Sequence, residues 1–221
     1  MKCPVSSFEQ NGPLLQAGRR PPTRGRYTLG TIGLGALLGA LVSSAPAAAQ
    51  TVSGQALAAQ STVSGLLGTT TTMLADTGTL GDSTDARQAS ATDGSIPSVL
   101  TADTLHATTI GWPDQVDSEA SLADLALTVA GTTIGADFVM SRATSVLGAA
   151  GSGTTGLSGL SIDGVPIAVS GDPNQTIPIL GGQVVINEQQ ISGASTVVNA
   201  LHVVVSGVAD VVVASATAAV Q

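Results

Sequence analysis

Apolar and polar residues alternate along most of the chain after residue 50, in short runs separated by Gly, Asp, Asn and Pro. An alternation of period two predicts half-buried β-strands. The clearest case is a pair of runs, Leu125–Val129 and 133–141, around Ala130-Gly131-Thr132, which predicts a hairpin. In the second strand we expect one face to carry Ile134, Ala136, Phe138 and Met140, and the other face to carry Asp137 and Ser141.

A second hairpin is predicted around Asp163-Gly164, with the short apolar runs 160–162 and 165–167 on either side. Asp-Gly favours a two-residue type I′ turn because both positions tolerate a positive φ. Pro166 has no backbone N–H to donate, so we expect its strand to lie at a sheet edge or to carry a bulge.

Near the C-terminal end of the sequence, the valine runs 197–198, 203–205 and 211–213 are apolar at consecutive positions. This pattern predicts central strands that are covered on both faces. His202 is expected on one face with Val198, Ala200 and Val204. Residues 78–99, in contrast, show no period, and we predict a long irregular loop there.

Many short strands without a crossover helix indicate an all-β protein. We predict a single domain over residues 50–221, an antiparallel β-sandwich of roughly 8–11 short strands. A β-helix is the alternative, although no fixed repeat period supports it.

Residues 1–49 have a different character. Four arginines lie between positions 19 and 26, an apolar run follows at 29–42, and Ala47-Ala48-Ala49 comes next. This order predicts a signal-peptide helix with an extended n-region, cleaved before Gln50, with Ala47 and Ala49 as the small residues of the cleavage site. The 14-residue apolar run is shorter than the roughly 20 residues of a membrane-spanning helix. We therefore expect a secreted protein with no membrane contact after cleavage.

The predicted cleavage also changes the charge of the chain. Residues 50–221 contain fourteen acidic residues and two arginines, Arg87 and Arg142, so their formal net charge is −12, and they contain neither lysine nor cysteine. Such an acidic chain is not expected to bind nucleic acid or anionic lipid, since phosphate binding depends on Lys and Arg. Disulfides and lysine Schiff-base chemistry are excluded from this region.

His106 and His202 are the only histidines. With a carboxylate such as Asp103 or Asp210 they would suit zinc or copper, and this is the basis of a metal-site hypothesis. The simpler interpretation is that each is a hydrogen-bonded histidine within a β-face. Residues 50–221 contain no G-x-S-x-G motif, so a serine hydrolase is not indicated and we assign no catalytic residue.

Two acidic clusters and one aromatic residue are candidate ligand contacts. The clusters are Asp82, Asp85 and Asp93 in the predicted loop, and Asp114, Asp117 and Glu119. Calcium requires six to eight oxygens, but neither cluster has EF-hand spacing, so a solvated acidic loop is the alternative. The second cluster follows Trp112, whose ring is of the kind that stacks on sugars. We expect these residues to share one loop from Trp112 to Glu119.

Several stretches together cover most of residues 66–214. They are 66–78, ADTLHATTIG at 102–111, SEASLADLALTV at 118–129, DPNQT at 172–176, GQVVINE at 182–188 and VNALHVVVSGVADVVVA at 198–214. Through them the chain resembles the choice-of-anchor P family of bacterial secreted proteins. The resemblance implies an extracellular or cell-surface domain without an established activity. The family's members carry different C-terminal sorting tails. No LPxTG-like motif precedes Gln221, so release or non-covalent attachment at the surface is expected.

These features favour a non-enzymatic extracellular domain with a structural, adhesive or matrix role, and with an extracellular protein or polysaccharide as its partner. Two alternatives stay open. One is a carbohydrate-binding or calcium-dependent module that uses Trp112 and the acidic residues after it. The other is a secreted hydrolase or metal enzyme that uses His106 and His202.

Overall fold

Two antiparallel sheets pack face to face in the computed structural model, which describes residues 50–66 and 68–221. The predicted all-β antiparallel sandwich is confirmed, although the described residues form thirteen strands, more than expected. The predicted signal-peptide helix lies outside the described residues, as do Ala47 and Ala49 of the cleavage site. Within the described residues, no helix is long and apolar enough to cross a membrane.

In chain order the strands are β1 Val52–Gly65, β2 Gly68–Asp76, β3 Ala86–Ile96, β4 Leu100–Gly111, β5 Gln115–Val129, β6 Thr132–Val146, β7 Ser152–Ser158, β8 Ser161–Ile162, β9 Val165–Pro166, β10 Gln175–Ile179, β11 Gly182–Ser192, β12 Ser195–Val205 and β13 Ala209–Val220. Sheet A has the order β10-β11-β12-β13-β1-β2. Sheet B has the order β3-β4-β5-β6-β8-β9, with β7 also paired to β6. The chain crosses to sheet B after β2 and returns after β9, so the first and last strands pair within sheet A.

Both predicted hairpins form, each with a two-residue turn. The first turn is one residue shorter than the predicted Ala130-Gly131-Thr132, because β6 already begins at Thr132. Ala130 and Gly131 have φ values of 50° and 84°, and Asp163 and Gly164 have φ values of 50° and 74°. Two successive positive φ values are the mark of a type I′ turn. Pro166 lies on β9, at the edge of sheet B, as its missing N–H requires.

The prediction of an irregular loop over residues 78–99 is wrong for its central part. Residues 86–96 form β3, which pairs with β4 from Ala86↔Ile110 to Ile96↔Leu100. β3 is an edge strand in which only Ile96 is buried. β3 is therefore held mainly by backbone hydrogen bonds to β4. Because backbone pairing does not require apolar side chains at alternate positions, the sequence of β3 shows no period.

The valine-rich strands are central, but they are not covered on both faces as predicted. β12 and β13 lie in the middle of sheet A, and sheet B packs on one of their faces. Val204 and Val212 are on the other face and are half-buried. Valine also favours strands through its β-branched shape, so a run of valines does not require burial on both sides.

Most long strands contain one position at which the inward-facing parity changes. In β12 the buried residues alternate as Val205, Val203 and Leu201 and then as Val198 and Thr196, and the two residues between these sets, Asn199 and Ala200, are also buried. In sheet A these positions align across neighbouring strands, because the registers place Ala75, Ala58, Ala214, Ala200 and Asn187 side by side. We call this line the switch row. Three of its members have a positive φ, namely Ala75, Ala214 and Asn187.

The parity change corrects two predicted faces. Phe138 and Met140 do not share the inward face of Ile134 and Ala136, since Phe138 is 40% exposed whereas Val139 and Ser141 are buried. A matching change in β5 occurs at Asp124, which has a φ of 49° and lies opposite Asp137. In β12, likewise, Val198 points inward and His202 shares the outer face with Val204.

The space between the sheets contains two different cores. The larger one, which we call the wide half, is filled by big apolar side chains that include Leu100, Leu105, Leu122, Leu127, Ile134, Ile186 and Leu201. The smaller one, the narrow half, contains Leu80, Val116, Ala143, Val198, Ala216, Ala218 and Val220. Buried hydroxyl groups from Thr109, Ser118, Ser141, Ser145 and Thr196 accompany this smaller core.

In the narrow half the sheets approach closely. A Cβ atom placed on Gly54 of β1 would lie 2.5 Å from Thr109 Oγ1 and 2.7 Å from Val116 Cγ1, both on sheet B. Ser118 Oγ of β5 donates a hydrogen bond of 2.6 Å to the Thr217 carbonyl of β13. Small residues thus bring the backbones within reach of direct hydrogen bonds between the sheets.

Candidate functional site

The two histidines lie on different sheets. His106 is on β4 of sheet B, between the buried residues Leu105 and Ala107, so its ring is on the outer face. His202 is on the outer face of β12 in sheet A. The structure therefore does not bring them together as one catalytic or metal-binding pair.

His202 lies between two carboxylates on the outer face of sheet A. Its Nδ1 is 2.9 Å from Glu188 Oε2 and its Nε2 is 3.0 Å from Asp210 Oδ1. Asn199 Nδ2 also donates to Glu188 Oε2, at 2.6 Å. The His202 and Glu188 side chains are 19% and 17% exposed, whereas Asp210 is 52% exposed. This arrangement connects β11, β12 and β13 through side chains.

The geometry around His202 is that of a hydrogen-bonded bridge and not of a chelate. The two imidazole nitrogens point away from each other, and each contacts a different carboxylate. Among the residues that the structure describes, no group of three or more His, Cys, Asp or Glu side chains is placed to hold a metal ion. Asp210 was a predicted neighbour of His202, but Glu188 was not, because only the register of β11 against β12 places it there.

His106 has a simpler environment. Its Nε2 is 2.8 Å from Thr108 Oγ1, two residues further along the same face of β4. Asp103, the carboxylate proposed as its partner, lies before the positive-φ residue Thr104 and opposite Asp93 of β3. His106 itself lies within strand β4, as the strand-like sequence around it predicts.

The first acidic cluster holds a loop together. Asp82 Oδ1 accepts hydrogen bonds of 2.7 Å from the N–H and the hydroxyl group of Thr84. Asp85 Oδ2 accepts from Gly81 N and Arg87 Nε, both at 2.7 Å. These hydrogen bonds hold the pKa of each carboxyl group below its ordinary value. Asp93 lies apart from them on β3.

The second acidic cluster is not confined to one loop with Trp112, as expected. Trp112 and Asp114 are in the turn before β5, but Asp117 and Glu119 are on β5 itself. Asp117 accepts hydrogen bonds from Thr144 Oγ1 at 2.5 Å and Gln115 Nε2 at 2.6 Å. Glu119 Oε2 is 3.6 Å from Arg142 Nε. A shallow depression of about 180 Å³ lies among these strand residues, and Trp112 does not line it.

A groove of about 930 Å³ lies at the end of the wide half. Its walls come from the neighbouring parts of β1 and β2 and from four turns, those of β1–β2, β3–β4, β5–β6 and β12–β13. The sequence does not predict this groove, because the turns are far apart along the chain and contain no reactive residue. The one signal is apolar residues at turn positions, namely Leu66 and Val208.

The fold and the separated candidate residues define an antiparallel β-sandwich protein with a groove at one end. No protein-family model, curated protein or solved structure matches this chain.

Proposed function

We propose that the chain is a secreted bacterial protein whose β-sandwich has a non-enzymatic structural, adhesive or matrix role. The observation that supports this most is the placement of His106 and His202 on the outer faces of opposite sheets. A hydrolytic or metal site needs its base, nucleophile or ligands to converge on one position. The resemblance to the choice-of-anchor P family supports the extracellular location.

The few basic residues also suit an extracellular setting. Arg87 and Arg142 are the only trypsin sites in residues 50–221, and both lie within paired strands. Each is next to a carboxylate, with Arg87 Nε 2.7 Å from Asp85 and Arg142 Nε 3.6 Å from Glu119. Cleavage at either position requires local unfolding of the strand, which protects a protein exposed to secreted proteases.

Cell fractionation tests the location. In a native culture we expect the protein in the medium or the wall fraction, with Gln50 as its N-terminal residue. Because the predicted cleavage site defines that residue, N-terminal sequencing is the direct measurement. A full-length protein confined to the cytoplasm would overturn the proposal.

A second measurement tests the absence of catalysis. The purified chain and its His202→Ala variant are compared for binding to cell-wall polysaccharide and to captured extracellular proteins, and for hydrolysis of esters, peptides and glycosides. We expect binding by both proteins and hydrolysis by neither. Hydrolysis that His202→Ala abolishes would show that the domain is an enzyme.

Carbohydrate binding through Trp112 is a second candidate function, since its side chain is 40% exposed in the turn before β5. If the ring is a sugar platform, Trp112→Ala abolishes retention on polysaccharide. Phe138→Ala is the matched control, because Phe138 is equally exposed but lies on the strand face of sheet B. Equal loss in both variants would indicate non-specific adsorption instead.

A further inference from the structure

The groove at the end of the wide half has the size of a small-molecule site. Its volume of about 930 Å³ is within the range of roughly 300–1,000 Å³ that is typical of ligand pockets. Apolar side chains contribute much of its wall, and those most central to the argument are Val63, Ile96, Val99 and Val129. Ile96 and Val129 belong to the wide-half core, so the groove continues that core toward solvent.

The charge of the groove restricts what it can bind. All seventeen described residues that line it are uncharged. Arg87 and Arg142 are elsewhere, opposite Thr109 and Glu119 in the part of sheet B that covers the narrow half. The whole chain has a formal net charge of −8. With no cation in its wall and an acidic protein around it, the groove disfavours phosphate, carboxylate or sulfate groups.

A polar group at the floor of the groove has no partner. Ser61 lines the groove from β1, its residue is 1% exposed, and its Oγ forms no hydrogen bond with any residue that the structure describes. Buried hydroxyl groups are normally paired, because an unpaired one loses its hydration without compensation. A ligand hydroxyl that reaches this position after rotation of the serine side chain supplies the missing partner.

We propose that this groove binds a neutral, elongated apolar molecule with one hydroxyl group, in the manner of a long-chain alcohol. The alkyl chain of the ligand packs against the valine and isoleucine side chains of the groove, and the hydroxyl group of the ligand pairs with Ser61. Threonine and serine residues at the mouth, including Thr70 and Ser98, provide a neutral polar rim. The proposal does not depend on secretion or on the absence of catalysis.

Competition against the neutral dye Nile red tests the proposal on the full chain. We expect saturable dye binding that 1-decanol reverses. Decanoate at pH 8 has the same chain length with a negative charge, and we expect it to compete at least about tenfold more weakly, since burial of an unpaired carboxylate is unfavourable. Dye that does not bind, or equal competition by the two ligands, overturns the proposal.

Two neighbouring threonines provide a matched pair of variants. Thr70 lines the groove, whereas Thr71 points to the opposite face of β2, where it contacts Thr62. Thr70→Phe is expected to fill the groove and abolish decanol binding, and Thr71→Phe is expected to retain it. Equal affinities of the two variants would place the ligand elsewhere. Circular dichroism of both variants establishes that each has folded.

A second pair of variants tests the groove by adding a charge instead of filling its volume. Val208 lines the mouth and Ser206 lies in the same turn outside the lining. Val208→Glu introduces a charge at the mouth and should weaken decanol binding at least about tenfold, while Ser206→Glu should not.

The alternative occupant of the groove is a second copy of the chain, and light scattering measures whether the protein is a dimer. A dimer that dissociates in Thr70→Phe, with no decanol binding in either form, would identify the groove as a self-association surface and overturn the proposal.

Discussion

The wide and narrow halves of the sandwich are built from the same two sheets but are filled in different ways. The wide half contains fully buried Leu and Ile side chains, whereas the narrow half has mostly Ala and Val with buried hydroxyl groups. The spacing of packed sheets, about 10 Å in most sandwiches, depends on the side chains between them. Residue size therefore determines where these two sheets approach and where a groove opens.

The two halves are also stabilised by different interactions. In the narrow half, direct hydrogen bonds join the sheets, from Ser118 Oγ to the Thr217 carbonyl at 2.6 Å and from Gly151 N to the Gly193 carbonyl at 2.9 Å. Ser145 Oγ contacts the Ala194 carbonyl in the same region. Burial of large apolar side chains predominates in the wide half. Truncation of a buried side chain should therefore lower the free energy of unfolding most in the wide half. Enlargement of a residue should lower it most in the narrow half.

The largest effect is expected for Leu201→Ala in the wide half. The side chain is fully buried, so its removal should lower the free energy of unfolding by about 2–5 kcal/mol. Val198→Ala, its counterpart on the same strand in the narrow half, removes two carbons instead of three and should cost about two thirds as much. Urea denaturation measures both. A larger loss for Val198→Ala would reverse the comparison.

The next effect is expected for enlargement of a glycine in the narrow half. Gly54→Ala places its Cβ 2.5 Å from Thr109 Oγ1 and 2.9 Å from Leu80 Cδ1, and should destabilise by about 1–3 kcal/mol. For Gly65→Ala, at the other end of the same strand, the nearest described atom is the Gly68 carbonyl oxygen, at 3.7 Å. We expect that variant to be within about 0.5 kcal/mol of the wild type. Equal stability of the two variants would mean that the narrow half accommodates an added methyl group at Gly54 without cost.

Local turn chemistry made the hairpins predictable, but the switch row had no such signal. Gly131 and Gly164 mark their turns, because glycine readily adopts the positive φ that each turn requires. In the switch row the positive-φ positions are filled by residues such as Ala75 and Ala214, which rarely adopt that conformation. The sequence therefore predicts continuous alternation through a position where the structure changes parity.

The same distinction applies to the candidate sites. His202 and Asp210 are on strands joined by a short turn, so their proximity follows from local sequence. Glu188 reaches His202 only through the register of β11 with β12. The groove depends on four separate turns, and no sequence pattern links them. A single sequence does not reveal which distant strands and turns pair with each other, and the contacts that depend on this pairing were therefore not predicted.

A smaller effect, of opposite sign, is expected where the narrow half contains an unpaired hydroxyl group. Thr196 Oγ1 is buried and has no hydrogen-bond partner within residues 50–66 and 68–221. Thr196→Val keeps the branched shape and removes the unpaired group, so the free energy of unfolding should rise by about 1 kcal/mol. Ser118→Ala, which removes a paired hydroxyl from the same core, should lower it by about 1–2 kcal/mol. Chemical denaturation distinguishes the signs. A loss of stability in Thr196→Val would indicate that its hydroxyl group has a partner in solution.

The smallest effect concerns the loop that carries Leu80 into the narrow half. Hydrogen bonds from the Gly81 N–H and the Arg87 guanidinium lower the pKa of Asp85 below its ordinary value of 3.8. Because the folded-state pKa is the lower one, the stabilisation is complete above pH 3.8 and is lost as the pH falls through the folded-state value. Asp85→Asn should thus increase hydrogen exchange at Gly81 near pH 6, with protection factors converging on those of the wild type in acid. Asp114→Asn, another exposed carboxylate in a turn, is the control. A pH-independent difference would show that charge at Asp85 does not hold this loop on the narrow half.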